Sequence, residues 1–257
     1  MANFISTERV LTKLDELLSR NDYASAERHI LYWLGEADSV NDKRCKLLLT
    51  NELAGLYRKL AREELALNTV QKALELVRDM GIENNIGAGT TYINCATVLK
   101  AFGKAEESMP LFEKALNVYK EKLESSDKRF GGLYNNMALS LVDLKRFDYA
   151  YEFYEKAIYI MEKHKDGMLE VAITYLNIAS AKEAELGLED SEKIIEEYLY
   201  KAMKILDEYE NRDGYYAFVC EKCASVFGYY GFFVYQNDLT NRAREIYERS
   251  WTCWKIL

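Results

Sequence analysis

Residues that interrupt helices are scarce in this chain. It contains a single proline, Pro110, and 13 glycines among 257 residues. Sheets built from many strands need frequent turn residues, so this scarcity disfavours them and favours long helices. Apolar residues make up 49% of the chain and aromatic residues 13%. That content is enough to build a continuous core, which argues against a disordered chain.

Long hydrophobic runs and export signals are also missing. The longest apolar run, residues 227–235, is too short to cross a membrane. The first ten residues, MANFISTERV, lack the basic and then apolar segments of a signal peptide. The five cysteines follow no disulfide framework. We therefore expect a reduced, cytoplasmic protein that does not associate with membranes.

Basic charge is not concentrated in any part of the sequence. The net charge is −8, and basic residues alternate with acidic ones at helical spacing, as around Arg58, Lys59 and Arg62. A nucleic-acid-binding protein needs a concentrated basic surface, because neutralising phosphates supplies most of its affinity. The mixed pattern is typical of solvated helix faces. We expect no nucleic-acid partner.

The sequence shows no constellation of residues for catalysis or metal binding. Cys220 and Cys223 form a Cys-x-x-Cys, but no second pair accompanies them. We interpret both as packing residues rather than as a metal or redox site. The two histidines, His29 and His164, are far apart in the chain. We expect no cofactor and no enzymatic activity.

A unit of two helical patterns recurs along the chain. Ala54, Ala96 and Ala138 mark its period of about 42 residues. Apolar residues at offsets of three and four place one stripe on each helix. Small residues recur where helices would cross, and these let the helices approach closely. In the last copy, the same alignment places Gly231 and Ala243 at such small positions.

The pattern of aromatic, Leu-Ala, aromatic and small residues, as in ALSLVDLKRFDYAYEFYEKAI, resembles the tetratricopeptide repeat. The long period, and the asparagines before the Leu-Ala pair, are similar to those of kinesin light chains. The resemblance implies an all-α fold, a right-handed α-α superhelix of about five to six antiparallel helix pairs. We expect one domain spanning 1–257, with repeats at roughly 7–42, 43–84, 85–126, 127–167, 168–211 and 212–257.

The first helices of such stacked pairs form the inner wall, which these proteins commonly use for binding. Asn94, Asn136 and Asn177 share one inward position, which Glu52 and Tyr229 take in other repeats. A carboxamide offers donors and an acceptor, so a ladder of them suits capture of an extended peptide. The resemblance implies the same role. Alternatively, each asparagine bonds a neighbouring helix. Two further asparagines are adjacent to the ladder on this wall, Asn51 and Asn135.

Charge along the inner wall changes from one half of the chain to the other. Arg58, Lys59 and Lys100 supply inward positive charge in the first half, and Asp143 and Glu183 lie at comparable depth later. A ligand with an acidic segment beside a neutral or basic one would complement this pattern. A scattered solvated face is the alternative. The basic clamp with which chaperone-binding relatives hold a terminal carboxylate is absent, because its positions hold Leu48, Thr90, Gly132, Ile173 and Ser225.

The last helix carries an apolar face to the end of the chain. Trp251, Trp254 and Leu257 continue this face. It indicates either a homodimer interface, a surface for another partner, or residues that fold back on the preceding pair.

These patterns together predict a non-catalytic scaffold or adaptor that holds a protein or an extended peptide in its groove. Two alternatives remain: an intracellular sensor of signalling peptides, and a structural homo-oligomer assembled through the C-terminal helix.

Overall fold

The computed structural model describes residues 5–254, with side chains described up to residue 249. The described residues form six helix pairs and no strand, which confirms the predicted all-α, tetratricopeptide-like solenoid class. The helices are α1 (Thr7–Ser19), α2 (Tyr23–Ser39), α3 (Lys43–Lys59), α4 (Glu63–Asp79), α5 (Ile86–Ala101), α6 (Ala105–Lys122), α7 (Arg129–Asp143), α8 (Phe147–Met161), α9 (Met168–Leu186), α10 (Leu188–Glu208), α11 (Gly214–Tyr229) and α12 (Phe233–Trp254). We call the first helix of each pair an A helix and the second a B helix.

A left-handed residue makes the turn inside each pair. Asn21, Ala61, Gly103 and Lys145 have positive φ angles of 55°, 52°, 74° and 58° at the first four turns. The residue after each of them donates its N–H to a carbonyl five positions earlier, as from Arg146 to Leu141 at 2.8 Å. This is the Schellman arrangement, which satisfies the last carbonyls of the A helix while reversing the chain.

Small residues are buried where the helices of a pair cross. Ala54, Ala96, Ala138 and Ala179 on A helices are at most 1% exposed. Ala66, Ser108 and Ala150 occupy the matching position on B helices and have no exposed surface. These positions are therefore buried, as a close approach of the two helices would require.

The sequence alignment of the last repeat is wrong by seven residues. Gly231 lies in the turn after α11, with a φ of 85°, and not at a helix crossing. Ala224, which is 4% exposed, occupies the small position on α11. Seven residues are close to two helical turns, so the shift leaves the apolar face nearly unchanged. Periodicity alone therefore could not detect the error.

Close packing divides the chain into two compact units, residues 1–124 and 125–257. The first contains α1 to α6 and the second α7 to α12. That all six repeats form one domain stays a prediction. Among the described residues, no helix is both long and apolar enough to span a membrane.

Candidate functional site

The A helices lie on the tightly curved side of each unit. In the first unit α3 packs directly against α5, whereas a cleft of about 610 Å³ separates α4 from α6. In the second unit α9 packs against both α7 and α11. Helices on the inside of a curved stack are closer together than those outside, so the A helices form the inner wall that solenoids use for binding. We call this surface the A-helix wall of each unit.

The first unit places Asn51 and Asn94 on its A-helix wall, both half-buried. The Asn51 side-chain nitrogen donates to Thr91 Oγ1 at 2.9 Å, which joins α3 to α5. Its Oδ1 atom is buried and has no hydrogen-bond partner among the described residues. Burial, and secondarily the charge of Asp15, raise the pKa of the neighbouring Glu52 carboxyl group. This wall therefore holds polar groups that the protein satisfies only in part.

The predicted cations of the first unit lie at the ends of two A helices. Arg58 and Lys59 are exposed in the last turn of α3, and Lys100 is half-buried in the last turn of α5. The Lys59 ammonium lies 5.0 Å from the centre of the Tyr23 ring. Cations at helix C-termini are favoured by the helix dipole, so their placement also has a structural cause.

The second unit brings three of the predicted asparagines onto α7 and α9. The side-chain nitrogen of Asn177 donates to Asn135 Oδ1 at 3.1 Å, and that of Asn136 donates to the Gly132 carbonyl at 2.8 Å. Asn135 is only 9% exposed, whereas Asn136 and Asn177 are half-buried. The first bond joins α7 to α9, as the structural alternative predicted. No donor among the described residues reaches the Oδ1 atoms of Asn136 and Asn177.

The exposed face of α11 carries residues that the sequence analysis did not select. Lys222 lies nine positions before Gly231, the residue with positive φ in the turn after α11. Asn94 and Asn136 lie the same distance before the corresponding residues of their own turns. Tyr229 lies on the same face, seven residues later. The misaligned last repeat explains why Tyr229 was selected in place of Lys222. The exposed residues of this face are Tyr215, Phe218, Lys222, Ser225 and Tyr229.

Two glutamates of α9 accept hydrogen bonds from tyrosines of α11. Glu183 accepts from the hydroxyl of Tyr229 at 2.6 Å and from that of Tyr230 at 2.7 Å. Glu170 accepts from the hydroxyl of Tyr215. Hydrogen bonding to the Glu183 carboxylate raises the pKa of Tyr229. The hydroxyl groups therefore stay protonated donors at neutral pH.

The remaining predicted residues are divided between the two units, or lie outside the described part of the chain. Arg58, Lys59 and Lys100 belong to the first unit, and Tyr229 belongs to the second. The side chains of Trp251 and Trp254, and all of Leu257, lie outside the described residues, so the interface proposed for them stays a prediction.

The Cys-x-x-Cys pair is part of the core of the second unit. Cys220 and Cys223 are 0% and 1% exposed, next to Phe227 and Leu199 in the same buried cluster. Burial raises the pKa of the Cys223 thiol to about 12. Buried thiols of this kind are unreactive packing groups. Within the described part of the chain, no three His, Cys, Asp or Glu side chains converge as a metal site.

Comparisons with known proteins agree with this architecture. Residues 46–121 and 132–164 match models of the tetratricopeptide repeat. Protein KINESIN LIGHT CHAIN-RELATED 2 of Arabidopsis thaliana is 25% identical over 150 residues, which is 56% of this chain and 22% of the relative. The match thus spans about a fifth of the length of that relative.

Two solved structures share the fold. BtubC (BKLC) from P. vanneervenii has a TM-score of 0.66 at 20% identity, covering 79% of this chain and 82% of its own. A Rap protein complexed with Competence and Sporulation Factor has a TM-score of 0.53 at 13% identity, covering 92% of this chain and 73% of its own. At these identities the likeness concerns the fold alone.

The buried small residues, the Schellman turns inside the pairs and the two matched regions lead to one assignment. Residues 46–121 and 132–164 are tetratricopeptide repeats, the repeats are similar to those of kinesin light chains, and the fold is one typical of protein-interaction scaffolds.

Proposed function

We propose that this protein is a non-catalytic adaptor that binds extended peptide segments of a partner protein on the A-helix walls of its units. The observation that carries the proposal is that hydrogen bonds within the protein occupy only part of the bonding capacity of the wall asparagines. The side chains of Asn136 and Asn177 each donate one N–H to an acceptor within the protein, and their Oδ1 atoms have no donor among the described residues. An extended peptide presents N–H groups that these oxygens can accept, whatever its side chains.

The backbone of the wall is also open beside Asn136. A Cβ atom added at Gly132, in the first turn of α7 and four residues before Asn136, would meet no atom within 4 Å. Packing therefore does not require glycine there, although glycine in a helix costs about 1 kcal/mol relative to alanine. An approaching peptide backbone is one reason for a side chain to be missing at that position.

The test uses peptides selected from a random phage-displayed library on the purified chain. Their affinities are measured by fluorescence anisotropy for the unmodified protein and for a variant carrying Asn94→Ala, Asn136→Ala and Asn177→Ala. Each lost hydrogen bond is worth about 0.5–1.5 kcal/mol, so the triple variant is expected to bind at least tenfold more weakly.

A matched control replaces three exposed asparagines of B helices, Asn68, Asn117 and Asn241, with alanine. This control is expected to bind as the unmodified protein does. Circular dichroism and thermal melting of both variants separate lost binding from lost folding. Unchanged affinity in the wall variant would refute peptide capture by the asparagines.

A sensor of signalling peptides is the second candidate. It is favoured by the fold shared with the Rap protein, whose structure contains Competence and Sporulation Factor. A sensor changes conformation when its ligand binds, whereas a passive adaptor need not. Small-angle scattering with and without a selected peptide distinguishes them: compaction on binding favours the sensor, and an unchanged radius of gyration favours the adaptor.

A further inference from the structure

The contact between Glu183 and two tyrosines has the composition of a receptor for a positively charged group. Tyr229 and Tyr230 are adjacent in sequence, with ring centres 4.9 Å apart and ring planes at 79°. Tyr229 is 69% exposed, and both hydroxyl groups donate to Glu183. Two aromatic rings at nearly a right angle beside a carboxylate form an open corner. We call Glu183, Tyr229 and Tyr230 the Glu183 corner.

The carboxylate of this corner has no cation partner among the described residues. The adjacent Lys182 pairs with Glu185 at 2.9 Å, and its ammonium lies 3.8 Å from the centre of the Tyr151 ring. Glu183 thus depends on neutral hydroxyl donors alone. Such donors satisfy the hydrogen-bonding capacity of a carboxylate but leave its negative charge uncompensated.

The helix ends around the corner add further negative potential. Glu183 lies in the last turn of α9, and Tyr229 and Tyr230 are the last residue and the C-cap of α11. The carbonyl ends of helices carry partial negative charge, which disfavours a carboxylate and favours a cation. The carboxylate, the two helix ends and the faces of two aromatic rings all favour the same kind of ligand.

A second glutamate on α9 provides a contrast. Glu170 also accepts a hydrogen bond from a tyrosine of α11, Tyr215, and it too pairs with no cation among the described residues. However, it lies in the first turn of α9, where the helix dipole stabilises a carboxylate. Tyr215 is stacked on Phe218 with the ring planes at 24°, so the two rings form no corner. Glu170 is therefore stabilised without a ligand.

We infer that the Glu183 corner binds the cationic side chain of a lysine or arginine in the partner peptide. This inference rests on the proposed peptide-binding function and adds a chemical requirement to it. A guanidinium or ammonium group would lie against the exposed Tyr229 ring and pair with the Glu183 carboxylate. The bound segment would then carry a basic residue where it crosses the ends of α9 and α11, opposite the Glu183 carboxylate.

Nuclear magnetic resonance titration of the full chain tests this directly. The probes are acetyl-Gly-Arg-Gly-amide, its lysine analogue and its uncharged citrulline analogue. The two charged tripeptides are expected to shift the Tyr229 and Tyr230 amide signals saturably, with millimolar dissociation constants. Citrulline keeps the shape of arginine without its charge, and its affinity is expected to be about tenfold lower.

Two variants complete the experiment. Glu183→Gln keeps an acceptor for both tyrosines but removes the charge, and it is expected to lose the selective response. Glu170→Gln, the same change at the other end of α9, is expected to keep it. Circular dichroism confirms that both variants are folded. Equal shifts from arginine and citrulline, no shift at Tyr229, or an equal loss in both variants would overturn the inference.

Failure of the corner is distinguishable from failure of the proposed function. If the selected peptides depend on the wall asparagines while the charged tripeptides leave Tyr229 unaffected, the corner fails and the adaptor stands. If the tripeptides bind selectively while the triple asparagine variant keeps full peptide affinity, the asparagine wall fails and the corner remains a cation site.

Discussion

Tyr154 and Tyr216 are two fully buried tyrosines of the second unit whose hydroxyl groups differ in their partners. Both side chains are 0% exposed. The Tyr154 hydroxyl has no hydrogen-bond partner among the described residues. The Tyr216 hydroxyl donates to the Leu206 carbonyl at 2.9 Å and accepts from the Arg242 guanidinium at 3.0 Å. Replacing each with phenylalanine removes the same atom from two different environments.

The two substitutions are expected to differ in their effect on stability. A buried polar group without a partner costs about 1–3 kcal/mol, so Tyr154→Phe should leave the free energy of unfolding unchanged or raise it by about 1 kcal/mol. Tyr216→Phe leaves the Leu206 carbonyl unpaired and takes one acceptor from Arg242. It should lower the free energy of unfolding by about 1–3 kcal/mol.

Urea denaturation followed by circular dichroism measures both changes, with m-values compared to establish that the same surface unfolds. Thermal melting gives a second readout, and a difference of 1 kcal/mol corresponds to about 2–4 °C for a chain of this size. A loss of about 1 kcal/mol or more in Tyr154→Phe would refute the reasoning, because it would mean that the Tyr154 hydroxyl is satisfied in solution.

Three glycine and alanine substitutions, and a fourth as a control, test the backbone and packing arguments in the same denaturation assay. Gly89→Ala should lower the free energy of unfolding by about 1–3 kcal/mol, because the new Cβ would lie 2.6 Å from the buried Tyr119 ring; an unchanged value would contradict that contact. Ala61→Gly should raise the free energy of unfolding by about 1 kcal/mol, because Ala61 has a φ of 52° that glycine adopts without strain; destabilisation would contradict the turn geometry. Gly132→Ala should raise it by about 0.5–1 kcal/mol but weaken binding of the selected peptides. Gly35→Ala on a B helix, where a Cβ also meets nothing within 4 Å, should give the gain in stability without the loss of binding.

Sequence reasoning predicted most of the fold because the apolar and small residues of each repeat mark the positions that pack within it. Ala96 and Ala138 repeat at the same offset from their turns, and both have no exposed surface. The prediction was wrong in the last repeat, where Gly231 makes a turn and Ala224 packs in the core. The two alignments differ by seven residues, close to two helical turns, so the apolar pattern fits both nearly equally well. The turn glycine itself was the signal that could have corrected the register.

The candidate site was less predictable than the fold. The sequence placed Asn135 and Asn177 on one wall, but not the hydrogen bond between them. It identified Tyr229 and Glu183 separately, as a ladder residue and an acidic position, and did not pair them. Their bond joins residues 46 positions apart through the packing of α9 on α11. Only the relative rotation of the two helices decides whether such side chains meet.

The amino-acid sequence by itself determined the all-α class and the kinesin-light-chain-like repeat, because local periodicity and small residues act within each helix pair. The tertiary structure alone decided which hydrogen bonds the polar groups of the inner wall make. It determined that Asn136 donates to a carbonyl of its own helix, and that Glu183 accepts from two tyrosines without a cation among the described residues. The physical reason is distance along the chain. Packing preferences repeat every few residues, whereas hydrogen bonds between neighbouring A helices depend on side-chain orientations that no local pattern encodes.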